Sequence, residues 1–292
     1  MKLKDIEYLF HKELDTLFGK DEVNQFFYLC IESFYNLSRL DLALDTNMSI
    51  TVDEQSKIIE ALEQLKQEIP IQYILGKTEF FGLPFNVTEA TLIPRPETEE
   101  LVSLILTNVT SSEVEKLSRT KKPITILDIG TGSGCIAISL AKNLPNATVY
   151  ALDVSAEALK IAKSNAELNK VDVTFIEQSI LEDFNLETKF DVIVSNPPYV
   201  RELEKAEIKP NVLNNEPHLA LFVADNNPLL FYKAITEFAE KQLTKKGQLY
   251  FEINEYLREE MKSLVSSYKF EDIEIVKDMF EKDRMLKAEL RH

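Results

Sequence analysis

From Ile124 onward, short apolar runs rich in β-branched and aromatic residues alternate with stretches of helical periodicity, and nothing else in the chain restricts its fold as much. Strands are predicted at ITILDI (124–129), TVYALD (148–153), VTFIE (173–177), FDVIVS (190–195) and GQLYFEI (247–253). Helices are predicted at 134–143, 155–168, 228–242 and 255–267. Strands separated by helical segments imply a parallel sheet with helices over both faces. Two later segments, EIVKDM and RMLKAEL, are joined by the charged turn FEKD and suggest an antiparallel pair at the sheet edge. The expectation is an α/β fold: a doubly wound, mostly parallel sheet with an antiparallel edge strand.

The front of the chain reads differently. Ile6, Leu9, Phe10, Leu14, Leu17 and Phe18 fall at helical spacing. Asp21 is expected to cap a second helix carrying Phe26, Phe27 and Cys30, and Thr51-x-x-Glu54 forms a capping box before Ile58, Ile59, Leu62 and Leu65. Pro70 is expected to end that helix. No glycine falls between Gly19 and Gly76. Residues 1–75 therefore read as a small all-α domain, a recognition module or a lid. Residues 76–93 alternate aromatic or β-branched with polar side chains around Gly82 and Pro84, as a β-hairpin linker would. The remainder, 94–292, forms the second domain. It opens on a helix with Pro96 in its first turn and includes a solvated loop at 111–123.

Composition narrows the function classes. Net charge is −16, split evenly: residues 1–90 hold 8 Lys/Arg against 16 Asp/Glu, the remainder 25 against 33. A duplex nucleic-acid binder gains affinity by neutralising phosphates and presents a basic face; this sequence shows none, so no direct nucleic-acid binding is expected. No run of 18 apolar residues suggests a membrane span. Asp5, Glu7, Glu13 and Asp15 argue against an N-terminal targeting peptide. Cys30 and Cys135 make neither a disulfide framework nor a metal site, which fits a reducing, cytoplasmic setting.

Three of the seven glycines sit in one stretch, LDIGTGSGCIAISLA, between a predicted strand and helix. Gly130, Gly132 and Gly134 allow a tight turn and close backbone approach to a ligand, and the following helix offers free N–H groups. The spacing is G-x-G-x-G, whereas the dinucleotide fingerprint is G-x-G-x-x-G. Asp153 ends the next strand, 23 residues after Gly130, where an acid can accept both ribose hydroxyls of a nucleoside. Together these point to an adenosine cofactor without a pyrophosphate, S-adenosylmethionine, with NAD as the competing reading. Asp128 either faces the methionine ammonium or caps the loop internally. Cys135, at the helix start, is read as apolar packing rather than as a reactive thiol.

The stretch VSNPPY, at the end of the FDVIVS run, is a second unusual feature. Ligands bind at the C-terminal strand ends of a doubly wound sheet. Asn196, preceding a proline, is held extended. Pro197 and Pro198 lack N–H groups and fix φ. The Asn196 side-chain oxygen and the Pro197 carbonyl then form a stiff pair of acceptors, with Tyr199 as an aromatic wall. Such a pair suits the NH₂ of a planar amide or amino-base, held with its nitrogen in line with a sulfonium methyl at ~3–3.5 Å. Catalysis of this kind is positioning and electrostatics and calls for no metal, thiol nucleophile or histidine base. The three histidines, His11, His218 and His292, lie away from these motifs in sequence.

With these residues in view, the chain resembles the class I amino-methyltransferases, and PIQYILGKTEFFGLPF (70–85), LIPRPETEELV (92–102), EPHLAL (216–221) and the pair Asp283-Arg284 narrow the resemblance to the release-factor glutamine methyltransferases over the whole chain. The resemblance implies methylation of the side-chain nitrogen of the glutamine in the Gly-Gly-Gln loop of class 1 peptide chain release factors. It implies that Asn196, Pro197, Pro198 and Tyr199 hold that glutamine. It implies cofactor contacts from Asp128, Gly130, Thr131, Gly132, Ser133, Gly134, Asp153, Leu181 and Asn196, with Pro94–Thr98 walling the methionine end. Arg95 is expected either at the partner loop or cofactor carboxylate, or simply paired with Glu97; Glu216 either lines the glutamine pocket or serves a structural turn. A monomer is expected. Four positions depart from the family pattern: Ile180 and Leu181 stand where an Asp and an aromatic are common near the adenine, which leaves apolar contact or Glu182 there, and Glu281 and Asn254 replace common glycines.

Other functions compete for the same motifs. A DNA adenine N6-methyltransferase uses the same acceptor logic on a flipped base, but the basic face is missing. A ribosomal-protein glutamine methyltransferase is closer. A non-catalytic scaffold is disfavoured by the intact loop and motif, and an NAD oxidoreductase by the glycine spacing.

Overall fold

A computed structural model describes residues 1–110 and 123–291; the loop expected at 111–123 lies almost wholly outside the described residues. The chain divides into two compact units, Met1–Gly76 with Lys209–Asn215, and Lys77–Ile208 with Glu216–His292.

The first unit is helical: Leu3–Phe18, Lys20–Tyr35, Arg39–Leu44, Val52–Leu65 and Ile71–Leu75, joined by the later helix Pro210–Asn215. Its apolar stripes meet in one core around Ile6, Phe10, Leu14, Phe27, Cys30 and Leu62, with Phe10 and Phe27 packed edge to face, centroids 5.7 Å apart. The Thr51–Glu54 capping box is present: the Thr51 hydroxyl accepts from the Glu54 N–H, and the Glu54 carboxylate accepts from the Thr51 N–H at 2.8 Å. A second box, Ser38 with Asp41, opens the short third helix. Two expectations need correction. Asp21 does not cap the second helix; Gly19, at φ 81, breaks the chain there, and the helix starts at Lys20 with no side-chain cap. Pro70 does not end the fourth helix, which stops at Leu65; it caps the next one.

The second unit opens on a hairpin, β1 (Lys77–Phe80) and β2 (Leu83–Asn86), in antiparallel register Phe80↔Leu83. Its two-residue loop, Phe81 and Gly82, has φ of 53 and 70, as a mirror-image hairpin turn requires. The Phe81 N–H donates to Glu99 at 2.7 Å, on the helix Pro96–Thr110. The irregular residues 87–95 follow β2, so the hairpin is shorter than expected.

A seven-stranded sheet follows, built from β3 (Thr125–Ile129), β4 (Thr148–Asp153), β5 (Val173–Glu177), β6 (Phe190–Ser195), β9 (Leu243–Glu252), β10 (Phe270–Lys277) and β11 (Asp283–Leu290). Their order is β10-β11-β9-β6-β3-β4-β5. The five strands from β9 to β5 run parallel, and β11 enters antiparallel between β9 and β10. The fold is thus the doubly wound sheet with an antiparallel edge pair. Side chains alternate between two cores: Leu127, Ile193 and Phe251 on one face, Ile126, Val192 and Tyr250 on the other. A minor two-residue pairing, β7 (Val200–Arg201) with β8 (Phe222–Val223), lies outside the main sheet. The chain builds outward from β3 to β5, then returns to the other side of β3 with β6. The C-terminal ends of β3 and β6 therefore flank the topological switch point, where doubly wound folds bind ligands.

Candidate active site

A pocket of about 300 Å³ opens there. Among the expected residues, Arg95, Gly130, Thr131, Gly132, Ser133, Asp153, Asn196, Pro197 and Pro198 line it. Asp128, Gly134, Leu181, Tyr199 and Glu216 do not, and each has a physical reason.

Asp128 is fully buried beneath the glycine loop. Its Oδ2 accepts from the Thr131 hydroxyl at 2.6 Å and the Ala137 N–H at 3.2 Å, while Oδ1 has no partner. Burial pushes its pKa up to about 7, against the pull of those two hydrogen bonds. Of the two roles left open for it, the geometry shows the internal cap. Gly134 is needed for packing: a Cβ there would stand 2.8 Å from Ile138 Cδ1 and 3.2 Å from Ala162 Cβ, at φ +84. Leu181 is exposed because a turn at Ser179, whose hydroxyl accepts from the Leu181 N–H at 3.3 Å, throws it outward. Gln178, Ser179 and Ile180 line the pocket in its place.

Asp153 ends β4 at the pocket wall. Its Oδ2 accepts from the Gly132 N–H at 2.8 Å and its Oδ1 from the Ser155 N–H at 2.9 Å. Burial raises its pKa, and the backbone donors oppose the rise. Each oxygen keeps a free lone pair. Gly130 and Thr131 donate to the Leu152 carbonyl, which fixes the loop to β4. Buried Asn165 braces the loop from behind: it donates to the Ser133 carbonyl at 2.9 Å, and accepts from the Asn86 N–H at 2.7 Å. Cys135 also lines the pocket, yet burial pushes its thiol up to about 12, so it is no thiolate.

On the other wall, Ser195 closes β6 by donating to the Ile129 carbonyl at 2.6 Å. Asn196, which carries the chain out of the sheet, donates from Nδ2 to the Thr98 hydroxyl oxygen at 3.2 Å. Thr98 donates to Glu252 Oε2 at 2.7 Å, and the Tyr199 hydroxyl donates to Oε1 of the same carboxylate at 3.1 Å. Tyr199 is therefore not an aromatic wall of the pocket; its ring packs into the core beside it. Burial raises the Tyr199 pKa, with the Glu252 charge adding to it. Glu252 is itself raised by burial, against hydrogen bonds from Thr98 and Tyr199 and the charge of Arg284. Arg284 pairs with buried Asp278 at 3.1 Å. Asn254 donates to the Tyr199 carbonyl at 3.1 Å and to Glu204 at 3.0 Å, so this departure from the family pattern braces the motif's backbone.

Glu216 is buried, with both oxygens occupied: Oε2 accepts from the Ile93 N–H at 3.1 Å and Oε1 from Arg95 at 2.5 Å. Arg95 is a third exposed and pairs with Glu216 rather than Glu97. His218 sits between pocket-lining residues Pro217 and Leu219, closer to the site than its sequence distance suggested, but packs edge-on against Phe222, ring centroids 5.1 Å apart.

Sequence reasoning named Thr98 only as part of the Pro94–Thr98 wall, not as the partner of Asn196, and missed Glu252, which holds Thr98 and Tyr199. The available signal was a lone acid near the end of an otherwise apolar strand, LYFEI; a buried charge must find partners.

The Methyltransferase small domain family matches residues 111–219, and the PrmC N-terminal domain family matches residues 21–76. The chain is 53% identical over 291 residues to the release factor glutamine methyltransferase of Flavobacterium psychrophilum, covering 100% of both. It is 41% identical over 278 residues to that of Bacteroides thetaiotaomicron, covering 95% of this chain and 96% of the relative. A solved methyltransferase from Pyrococcus furiosus shares the fold at TM-score 0.51 and 18% identity, covering 82% of this chain and 99% of that one.

Proposed function

The chain belongs to the release factor glutamine methyltransferase family, and from that premise we propose that it methylates the side-chain nitrogen of the glutamine in the Gly-Gly-Gln loop of class 1 peptide chain release factors, using S-adenosylmethionine. The observation that carries the reading is the orientation of Asn196. Its nitrogen is engaged by Thr98, so its Oδ1 remains an acceptor, and Asn196 and Pro197 both line the pocket.

The pocket fits the cofactor. Asp153 keeps one lone pair on each oxygen for two vicinal hydroxyls. At Gly130 and Gly132, both pocket-lining, a Cβ would meet no protein atom within 4 Å, which leaves room for a nucleoside against the backbone. Ile180 and Ile136 offer apolar contact for a base, and Pro94 and Arg95 wall the far end. When bound, S-adenosylmethionine supplies an electrophilic methyl group.

The protein's own contribution is positioning. An amide nitrogen is a weak nucleophile because its lone pair is delocalised into the carbonyl. Asn196 Oδ1 and the Pro197 carbonyl accept its two hydrogens, orient the nitrogen, and favour the pyramidal form in which the lone pair is free. The two acceptors also stabilise the positive charge that grows on nitrogen as it is alkylated, so they bind the transition state better than the ground state. The prolines stiffen the backbone that carries those oxygens. Tyr199 serves this arrangement from behind, through Glu252.

The helical unit is proposed as the recognition module for the release factor. The reading carries with it a monomeric enzyme of the cytoplasm, and it calls on no nucleic acid. Among the described residues no helix is long and apolar enough to cross a membrane. Incubation with labelled S-adenosylmethionine and unmethylated release factor, ribosomal protein or duplex DNA tests the reading. Label on the Gly-Gly-Gln glutamine supports it; label on ribosomal protein or DNA alone overturns it.

A further inference from the structure

Glu252 is a buried acid that does not line the pocket and, among the described residues, forms no ion pair, and the mechanism above does not use its carboxyl group directly. Its place in the sheet explains what it can do. In the β6–β9 ladder Ser195 pairs with Phe251, so Glu252 lies beside the point where Asn196 and the prolines leave the ladder. The carboxylate has two oxygens and receives two hydroxyl donors, Thr98 on Oε2 and Tyr199 on Oε1.

A threonine hydroxyl has one hydrogen. Because Thr98 spends it on Glu252 at 2.7 Å, its oxygen toward Asn196 can only accept. The Asn196 amide is thereby forced to present Nδ2 to Thr98, at 3.2 Å, and Oδ1 to the other side. Nothing else among the described residues fixes that choice, since Asn196 Oδ1 has no protein partner. A primary amide turned over by half a rotation occupies the same space but exchanges an acceptor for a donor. Turned over, Asn196 would set an NH₂ against the substrate's NH₂.

We infer that Glu252, acting through Thr98, is a positioning residue for the methyl transfer: it dictates which face of the Asn196 amide meets the substrate glutamine, and so makes the pocket selective for an NH₂ donor. The inference rests on the proposed role of Asn196. The same carboxyl group also holds Tyr199, so one buried side chain sets both ends of the Asn-Pro-Pro-Tyr turn.

The test uses full-length enzyme, full-length unmethylated release factor and labelled S-adenosylmethionine, comparing wild type with Thr98→Val, Thr98→Ser, Asn196→Ala and the Thr98→Val/Asn196→Ala pair. Valine keeps the shape and removes the acceptor; serine keeps the hydroxyl. For Thr98→Val, kcat is expected to fall by about tenfold or more while KM for the release factor and Kd for the cofactor stay within about threefold. Thr98→Ser restores kcat to within about threefold of wild type, and adding Thr98→Val to Asn196→Ala costs no more than about twofold, because the two act as one unit. Glu252→Gln gives a second reading: when its NH₂ donates to Thr98, the hydroxyl is released toward Asn196, so kcat falls while the thermal midpoint holds. Wild-type kcat in Thr98→Val overturns the inference, as does a full additive loss in the Asn196→Ala background. Wild type that leaves the release factor unlabelled would remove the functional reading itself, and this inference with it.

Discussion

The backbone N–H of Gly132 donates to Asp153 Oδ2 at 2.8 Å, so the acid that ends β4 is also the brace of the glycine loop. One side chain thus shapes the pocket and, in the proposed function, offers its remaining lone pairs to the cofactor's ribose. Asp153→Ala is expected to weaken S-adenosylmethionine binding by about 10- to 100-fold, since hydrogen bonds to a charged group contribute on the order of 1.5–3 kcal/mol. Titration calorimetry on the free enzyme measures this directly. Unchanged affinity would show that the ribose is held elsewhere.

Asn196 separates binding from chemistry. Asn196→Ala removes the acceptor proposed to meet the substrate but leaves Asp153 and the glycine loop intact. Cofactor affinity is expected to stay within about tenfold while turnover drops by at least about 100-fold, the scale seen when one preorganised transition-state contact is lost. Single-turnover methylation of the release factor checks it; turnover close to wild type would refute the role given to the amide.

Much of the fold was legible because its signals are local. Apolar runs such as TILDI are buried at every position, and the helical stretches between them force parallel neighbours. The two-residue strands β7 and β8 carry too few residues to show a period. The helix Pro210–Asn215 groups with the N-terminal unit, where Asn215 donates to the Glu68 carbonyl across 147 residues, and no local pattern announces that. The same divide runs through the site. The glycine loop, Asp153 and Asn196-Pro197-Pro198 are contiguous motifs with a chemical meaning. The link from Thr98 to Glu252 spans 154 residues and exists only once helix Pro96–Thr110 lies against β9. The resemblance implies Leu181 at the cofactor, but Ile180 lines the pocket instead, because a side chain's direction after a strand depends on the turn, here the Ser179 hydroxyl bond to the Leu181 N–H.

Asp128 predicts a pH dependence. Burial holds its pKa at about 7 in the folded protein, against an ordinary value of 3.8. Between those values the folded state binds more protons than the unfolded state, so stability falls as pH rises from about 4 to about 7, then levels off. Asp128→Asn keeps an oxygen for Thr131 and Ala137 and carries no charge to desolvate. The difference in thermal midpoint, variant minus wild type, is expected to grow across that window and stay flat above it. Thermal scans of the cofactor-free enzyme from pH 4 to 8 read this difference, in which the other carboxylates cancel. A difference that does not change with pH would mean that Asp128 titrates normally.

Glu216 belongs to the frame behind the pocket rather than to its lining. Each of its oxygens accepts one hydrogen bond, from the Ile93 N–H and from Arg95, and unlike Asp153 it does not line the pocket. Glu216→Ala leaves a buried backbone N–H unpaired, which costs on the order of 1–3 kcal/mol, whereas Arg95, a third exposed, can turn to water. The variant is therefore expected to lose about that much stability in urea titration. It also frees the Pro94–Arg95 wall, so KM for S-adenosylmethionine rises several-fold. Glu216→Gln keeps an acceptor for Ile93, and most of the stability should return with it. Were Glu216 instead a direct contact of the glutamine, kcat would collapse at unchanged stability and the Gln variant would bring no recovery of the fold. The two outcomes separate on a single pair of measurements, the urea midpoint and the cofactor KM.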